Sequence, residues 1–450
     1  MKKAILLLSL YLVLIFSCNN KKTEPAVSNE QHNEPPEWIM QGNIYEVNVR
    51  QYTPEGTFNA FATHLDRLKE MGVQTLWFMP IHPIGVAERK GTLGSYYAVA
   101  DYRAVNAEFG TMQDWKNLVN AAHEKGFKVI IDWVPNHTAA DHPWLNTHPD
   151  FYMKDSTGKP TWKFDWTDIR VFDFNNKEMQ DSMTASMKFW VAETNIDGFR
   201  CDHTEEYQSA FWRHTITELN KIKRVFMLAE GQGSWVFDVG FDMDYGWRLF
   251  HTTVAVASGK RNALSIDTVL WELDSSYPNK ALQMYFTSNH DENSWNKADY
   301  ETMPGAVHAP FAVLSQTLYR GVPLIYSGQE EPVLRALSFF EKDTVQFREL
   351  KRESFYKTLL ALRKNNPALS ADASFKKINV GNEKNLYGFT REKAGKKVFV
   401  ILNLSAKEQS IKVTDSSLHG NPYNIFMGTN ESLTDKEWKI EPWGYVVYEY

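Results

Sequence analysis

The nine residues GFRCDHTEE, at 198–206, follow an isoleucine and an aspartate and read as a short apolar strand ending on a charged pair. Alternate residues of a strand share a face, so Arg200 and Asp202 point one way and Cys201 the other. Such a pair is stable inside a protein only where each charge has a partner, and the Arg200 guanidinium is placed to hold the Asp202 carboxylate ionised. Cys201, on the far face, reads as a small buried hydrophobe.

Outward from this strand, short apolar runs alternate with amphipathic segments of helical period, the pattern of a parallel α/β domain. The runs fall at 44–49, 73–80, 127–137, 196–202, 225–230, within 235–242, at 282–293 and at 322–328. That series predicts a closed TIM-type (β/α)8 barrel rather than an open doubly wound sheet, because no glycine-rich phosphate loop follows the first run. Between the runs, 58–72 reads as a helix with Phe61, Leu65, Leu68 and Met71 on one face and Gly72 as its left-handed cap. A second helix carries Trp115, Leu118, Val119 and Ala122, and a long one spans 176–195. The stretch 137–175, rich in Trp, Asp, His and Pro, reads as a loop excursion after the third strand, and loops of that length in a compact domain are usually functional. The barrel with its excursion is assigned to 38–366, and the alternating runs of 367–450 to a small antiparallel β-sandwich domain.

Composition narrows the function. A chain of 450 residues with 43% hydrophobic content builds a sizeable core, and a formal net charge of -6 offers no basic field for a nucleic-acid backbone, so nucleic acid is not an expected partner. Aromatic residues make up 14% of the chain, enough to fill the core and also line a cleft against the flat faces of sugars. At the N-terminus, MKK precedes the apolar run AILLLSLYLVLIF, and SC closes it at Cys18, the pattern of a bacterial lipoprotein signal at 1–18. Lipidation of Cys18 and the polar tether 19–37 then predict a protein held at the bacterial cell envelope by a lipid anchor, at the outer membrane or a periplasmic face. Only two cysteines are present, so Cys201 is left without a disulfide partner.

Charged residues collect at the carboxyl ends of the predicted strands: Asp132 and His137, Arg200 and Asp202, Glu230, and His290 with Asp291. In a barrel these ends converge on one face, where ligands bind. A lone buried aspartate or histidine is more often a satisfied structural group, but several acids at one barrel mouth are a costly concentration of like charge. Paired carboxylates in an aromatic cleft for a neutral ligand suit glycosidic bond cleavage, in which one carboxylate attacks or stabilises the anomeric carbon and the other protonates the leaving oxygen.

The segments DWVPNH, GFRCDHTEE, AEGQG and SNHDEN, in this order, resemble the four sequence regions of the α-amylase family of glycoside hydrolases, and GSYYAVADY and GVPLIYSGQE are similar to that family as well. The resemblance implies a retaining hydrolase of α-glucosidic, mainly α-1,4, linkages in starch or maltodextrins. It implies Asp202 as nucleophile, Glu230 as general acid/base and Asp291 as the third acid. Tyr97, His137, Arg200 and His290 would bind substrate, with Tyr97 rather than Tyr96 as the stacking ring. No cofactor is required on this reading. Calcium is left as an option at Asn136 and Asp173, although Glu205 and Glu206 stand where many calcium-dependent members carry lysine and histidine, and Glu206 is similar to members acting on cyclic or short maltodextrins. A glucanotransferase or isomerising enzyme would use the same residues, and a non-catalytic glycan-binding lipoprotein would be expected to lack one of the acids. Of Trp144, Trp162, Trp166 and Trp235, about half are expected to touch glycan. His82, His142 and His148 read as solvated or supporting residues, and the short excursion is compatible with an open cleft.

Overall fold

The computed structural model describes residues 34–297, 301 and 303–450. The leader 1–18 with Cys18, and the tether up to residue 33, lie outside the described residues. The last tether residues already belong to the folded protein, for Arg224 donates to the Glu34 carbonyl at 3.2 Å and Glu37 opens the helix Glu37–Met40. No helix among the described residues is long and apolar enough to cross a membrane.

The barrel strands are β1 (Ile44–Val47), β2 (Thr75–Phe78), β3 (Lys128–Trp133), β4 (Gly198–Cys201), β5 (Phe226–Ala229), β6 (Met243–Tyr245), β7 (Leu282–Tyr285) and β8 (Gly321–Tyr326). They are parallel and close in the order β1-β8-β7-β6-β5-β4-β3-β2. Strand alternation sorts the side chains: Ile44, Trp77, Ile130, Leu228, Met284 and Leu324 fill the interior, while Val47, Phe78, Ile131, Phe199 and Met227 pack outward toward the helices. Cys201 is fully buried in that outer layer, as its alternation with Arg200 requires. Gly198 lies where β4 and β5 pack against each other. A Cβ there would come within 2.0 Å of the Phe226 carbonyl oxygen, so any side chain would push the two strands apart.

Local signals mark some helix ends. Asn176 caps the helix Lys177–Thr194 by accepting from the Met179 amide, and Asn195 ends it in the left-handed region at φ 56°. Thr111 and Asp114 form a reciprocal capping box on Met112–Glu124. Two expectations are corrected. The segment predicted as one helix over 58–72 is two, Phe58–Ala62 and Leu65–Met71, interrupted at Thr63 and His64, although both pieces keep their apolar residues on the core. The sixth strand does not lie within 235–242. Trp235–Asp238 is a single helical turn with Val236 and Phe237 buried. Gly240, at φ +107°, then reverses the chain, and β6 begins only after Asp242, whose carboxylate accepts from the Met227 amide at 2.9 Å.

Within the excursion, His137–Ala139 pairs antiparallel with Ile169–Val171, so its two ends return to the same place beside β3. Beyond the barrel, six antiparallel strands from Ser374–Ile378 to Tyr445–Glu449 form one sheet, and Gln409–Ile411 pairs with Trp438–Ile440 in a second. Ile378, Phe399, Ile401, Ile411 and Ile440 fill the space between the two sheets. Arg391 ties the larger sheet to the barrel. It is fully buried and donates to the carbonyls of Thr317, at the end of a barrel helix, at 2.8 Å, of Ser370 at 2.7 Å and of Ser374 at 3.0 Å.

Replacing Arg391 by methionine keeps the volume but leaves these carbonyls without a donor. The expected cost is about 3 kcal/mol or more of stability. It should appear as a lower urea midpoint for Arg391→Met, whereas an unchanged midpoint would show that the guanidinium does not hold the two parts together.

Candidate active site

The floor of the barrel mouth is organised by one guanidinium. Arg200, fully buried, donates from Nη1 to Asp132 Oδ1 and to Asp202 Oδ1, both at 2.9 Å, and from Nε to the Tyr245 hydroxyl at 2.9 Å. Its Nη2 lies 3.0 Å from Glu230 Oε2. Register explains the convergence: Asp132 on β3 pairs directly with Arg200 on β4, and both point inward. Asp202 follows the end of β4 with its amide donating to the Trp133 carbonyl at 2.8 Å, while the Glu230 amide, just past β5, donates to the Cys201 carbonyl at 2.9 Å. The turn after Asp202 closes over Glu230, with the His203 amide donating to Glu230 Oε2 at 2.8 Å.

Burial separates the acids. Asp132 exposes none of its side chain, whereas Asp202 exposes 13%, Glu230 19% and Asp291 36%, so the last three reach the cavity and Asp132 does not. Asp132 has a supporting place beneath them, accepting from Tyr97 Oη at 3.1 Å and Trp77 Nε1 at 3.3 Å as well as from Arg200. Glu230 holds its proton above the ordinary glutamate range. Burial is the main cause, the Asp202 charge adds to it, and Arg200 works against both. One cation is shared by three carboxylates: burial also lifts Asp132, which does not reach the cavity, to about 7, and among the acids that line the cavity the raised pKa of Glu230 is the direction a general acid requires.

The second cationic centre is His290. Its Nδ1 lies 2.5 Å from Glu46 Oε1, and its Nε2 lies 2.8 Å from Tyr97 Oη and 3.4 Å from Asp291 Oδ2. Burial opposes its charge, but Asp291 and Glu46 outweigh that effect and lift its pKa to about 9. His137 is the opposite case: burial drives its pKa down to about 3, so it is neutral, with Nε2 3.1 Å from the Tyr97 carbonyl. Two histidines of one site therefore carry different charges at neutral pH, which sequence alone does not show.

Above this floor lies a cavity of about 820 Å³. Asp202, Glu230, Asp291, Tyr97, His137 and His290 all line it, and Arg200 lies directly below. Tyr97 stacks on His290 with ring centroids 5.6 Å apart, whereas Tyr96 is buried beneath the Arg50 guanidinium and does not line the cavity. Of the four tryptophans singled out, Trp166 alone lines it. Trp144 packs on Tyr102 and His142, Trp162 lies beside the Arg170 guanidinium on the surface, and Trp235 packs against the core. His82 is not solvated: it is fully buried between Trp133 and Trp190, with Nδ1 3.2 Å from the Ala104 carbonyl. His142 is likewise buried, and its Nδ1 accepts from the Trp144 amide at 3.1 Å.

Sequence reasoning missed Glu46 and the aromatic wall of Trp295, Phe339 and Phe340. Glu46 carried a signal, a lone carboxylate in an otherwise apolar first strand. The paired phenylalanines in the polar loop after β8 were another.

The two residues considered for calcium are spent on protein contacts. Asn136 Oδ1 accepts from Gln208 Nε2 and its Nδ2 donates to the Asp202 carbonyl at 2.8 Å. Asp173 Oδ1 accepts from both nitrogens of Asn175 at 2.9 Å. Among the described residues no group of three or more His, Cys, Asp or Glu side chains is gathered for a metal ion. Asn136 and Asp173 as placed do not fit a calcium cage, which needs six or more oxygens.

The Alpha-amylase model, described as alpha amylase, catalytic domain, matches residues 20–417. The alpha-amylase MalA of Haloarcula japonica is 26% identical over 398 residues, covering 84% of this chain but 57% of that protein, so the chain spans little more than half of that relative's length. Among solved structures, the noncanonic maltogenic alpha-amylase AmyB from Thermotoga neapolitana superposes with a TM-score of 0.83 at 28% identity, over 92% of this chain and 99% of that one. An alpha-amylase from Lactobacillus plantarum gives 0.82 at 28% identity over the same shares. With the four motifs folded into one cavity and the family model spanning most of its length, this chain belongs to the alpha-amylase family.

Proposed function

We propose that this protein is a retaining glycoside hydrolase that cleaves α-glucosidic linkages, mainly α-1,4, in starch-like glucans or maltodextrins. The observation that carries the reading is the Arg200 bridge, which holds Asp202 beside Glu230, a carboxyl whose pKa burial raises, at the floor of an aromatic cavity. In the first step the Asp202 carboxylate forms an ester bond to the anomeric carbon as the bond to the leaving oxygen breaks, and the Glu230 proton passes to that oxygen. Glu230, now ionised, takes a proton from water. The water oxygen bonds to the same carbon and displaces Asp202, so two inversions restore the α configuration. Asp291 and the cationic His290 are placed to hydrogen-bond sugar hydroxyls, and the Tyr97 ring offers a face for the glycosyl unit. The leader 1–18 supports the further proposal that Cys18 is lipidated and holds the enzyme at the bacterial envelope.

Four experiments test the hydrolase reading and the anchor. Proton NMR of maltoheptaose digests should show new α-anomeric reducing ends with the native enzyme, and Glu230→Gln should lower turnover by roughly 10²–10⁴-fold. Initial β-anomers would refute a retaining mechanism, and redistributed chain lengths without new reducing ends would indicate a transferase. Because the Asp202 charge helps to raise Glu230, the Glu230 carboxyl of Asp202→Asn should titrate at lower pH than in the native enzyme, followed by carbon-13 NMR. In the native enzyme the same shift places the alkaline limb of kcat/KM above the ordinary glutamate range. Cys18→Ala should lose incorporated radiolabelled palmitate and move from the membrane to the soluble fraction; retention of the label would remove Cys18 as the anchor.

A further inference from the structure

The loop after β2 does more than join strand to helix. Residues 84–95 are braced from within by Arg89, whose Nε donates to the Gly85 carbonyl at 2.7 Å and whose Nη2 donates to the Ile84 carbonyl at 3.1 Å. One side is fastened to the excursion: Lys90 Nζ donates to the Asp165 carbonyl at 2.7 Å, the Val86 and Ala87 amides donate to Asp141 Oδ2 at 2.7 and 3.0 Å, and Glu88 pairs with Arg170. The other side is fastened to the loop after β8: the Leu93 amide donates to the Phe340 carbonyl at 3.1 Å, and the Thr92 amide to Glu341 Oε1 at 2.9 Å. Gly91, at φ +64°, fits so closely that a Cβ would stand 2.6 Å from both the Phe340 Cβ and Glu341 Oε1. The segment is a strap that joins the two side walls of the cavity, and Lys90 and Ser95 face into it.

Its position defines which end it closes. In the barrel order, β2 lies three strands from β5, so the strap is across the mouth from Glu230 and beside Tyr97. On the reading proposed above, Glu230 protonates the departing oxygen, so the released part of the chain lies on the Glu230 side, where Gln232 and Ser234 are exposed. The part retained on Asp202 lies on the Tyr97 side. Because the bond broken is the one from its anomeric carbon, the retained part carries the non-reducing end of the glucan. We infer that the strap 84–95 blocks the cavity beyond the retained sugars, so that the enzyme takes α-glucan chains by their non-reducing ends and releases short products of constant length instead of cutting at interior bonds. The cleft that a short excursion would leave open is closed by a different loop.

The inference rests on the hydrolase reading, and the test separates the two. The full-length chain is given maltoheptaosides with the non-reducing glucose free or blocked by a 4,6-O-ethylidene group, and products are read by mass. The expected result is a kcat/KM at least tenfold higher for the free substrate, with one dominant short product, and a smaller ratio for a Glu88→Ala/Lys90→Ala/Asp141→Ala variant, which removes the side-chain ties between strap and excursion. Equal rates on free and blocked substrates, with mixed product lengths, would overturn the strap's role while leaving the hydrolase reading intact. Cleavage of neither substrate would overturn both.

Discussion

One guanidinium touching three carboxylates is the constraint on which the rest of the site depends. Removing Arg200 would leave Asp132, which is fully buried, and its neighbours Asp202 and Glu230 without the cation they share, a far larger penalty than the loss of one surface ion pair. The guanidinium cannot satisfy all three equally. Its Nη1 is shared by Asp132 and Asp202, while Nη2 lies against Glu230, whose pKa burial and the Asp202 charge raise.

A second set of contacts, from His290 to Glu46, Asp291 and Tyr97, continues the same logic toward β1. Tyr97 Oη joins the two centres, since it touches both Asp132 and His290. The ring that faces the cavity is therefore held by the same charges that organise the chemistry below it. The walls above are aromatic and contributed by loops, with Trp166 from the excursion and Phe339 from the loop after β8. Specificity and catalysis are carried by different parts of the fold, rigid strand ends for the acids and interlocked loops for the shape of the cavity.

Much of this was legible in the chain itself. Apolar runs with charged terminal residues located the barrel strands, and alternation placed Arg200 and Asp202 on one face and Cys201 on the other. The sixth strand was misplaced because Val236 and Phe237 are apolar neighbours that suit one buried helical turn as well as a strand, and three-residue β6 is too short to announce a period of its own. The tryptophans were harder still. Trp144 and Trp166 are both aromatic residues of the excursion, yet one packs under it and the other faces the cavity, a difference that depends on the path of the loop.

Near-neighbour patterns in the chain are enough to locate most of the elements and the residues at the mouth, because strand and helix periods and the ends of apolar runs are local properties. The pairings belong to the folded state: Glu46 meets His290 across 244 residues, and the strap 84–95 meets Glu341 across 249. The first of those contacts, together with Asp291, gives His290 its charge, and the second ties the strap to the loop after β8. The physical reason is that burial and charge proximity depend on distances in space, which loops of irregular conformation create and no local pattern encodes.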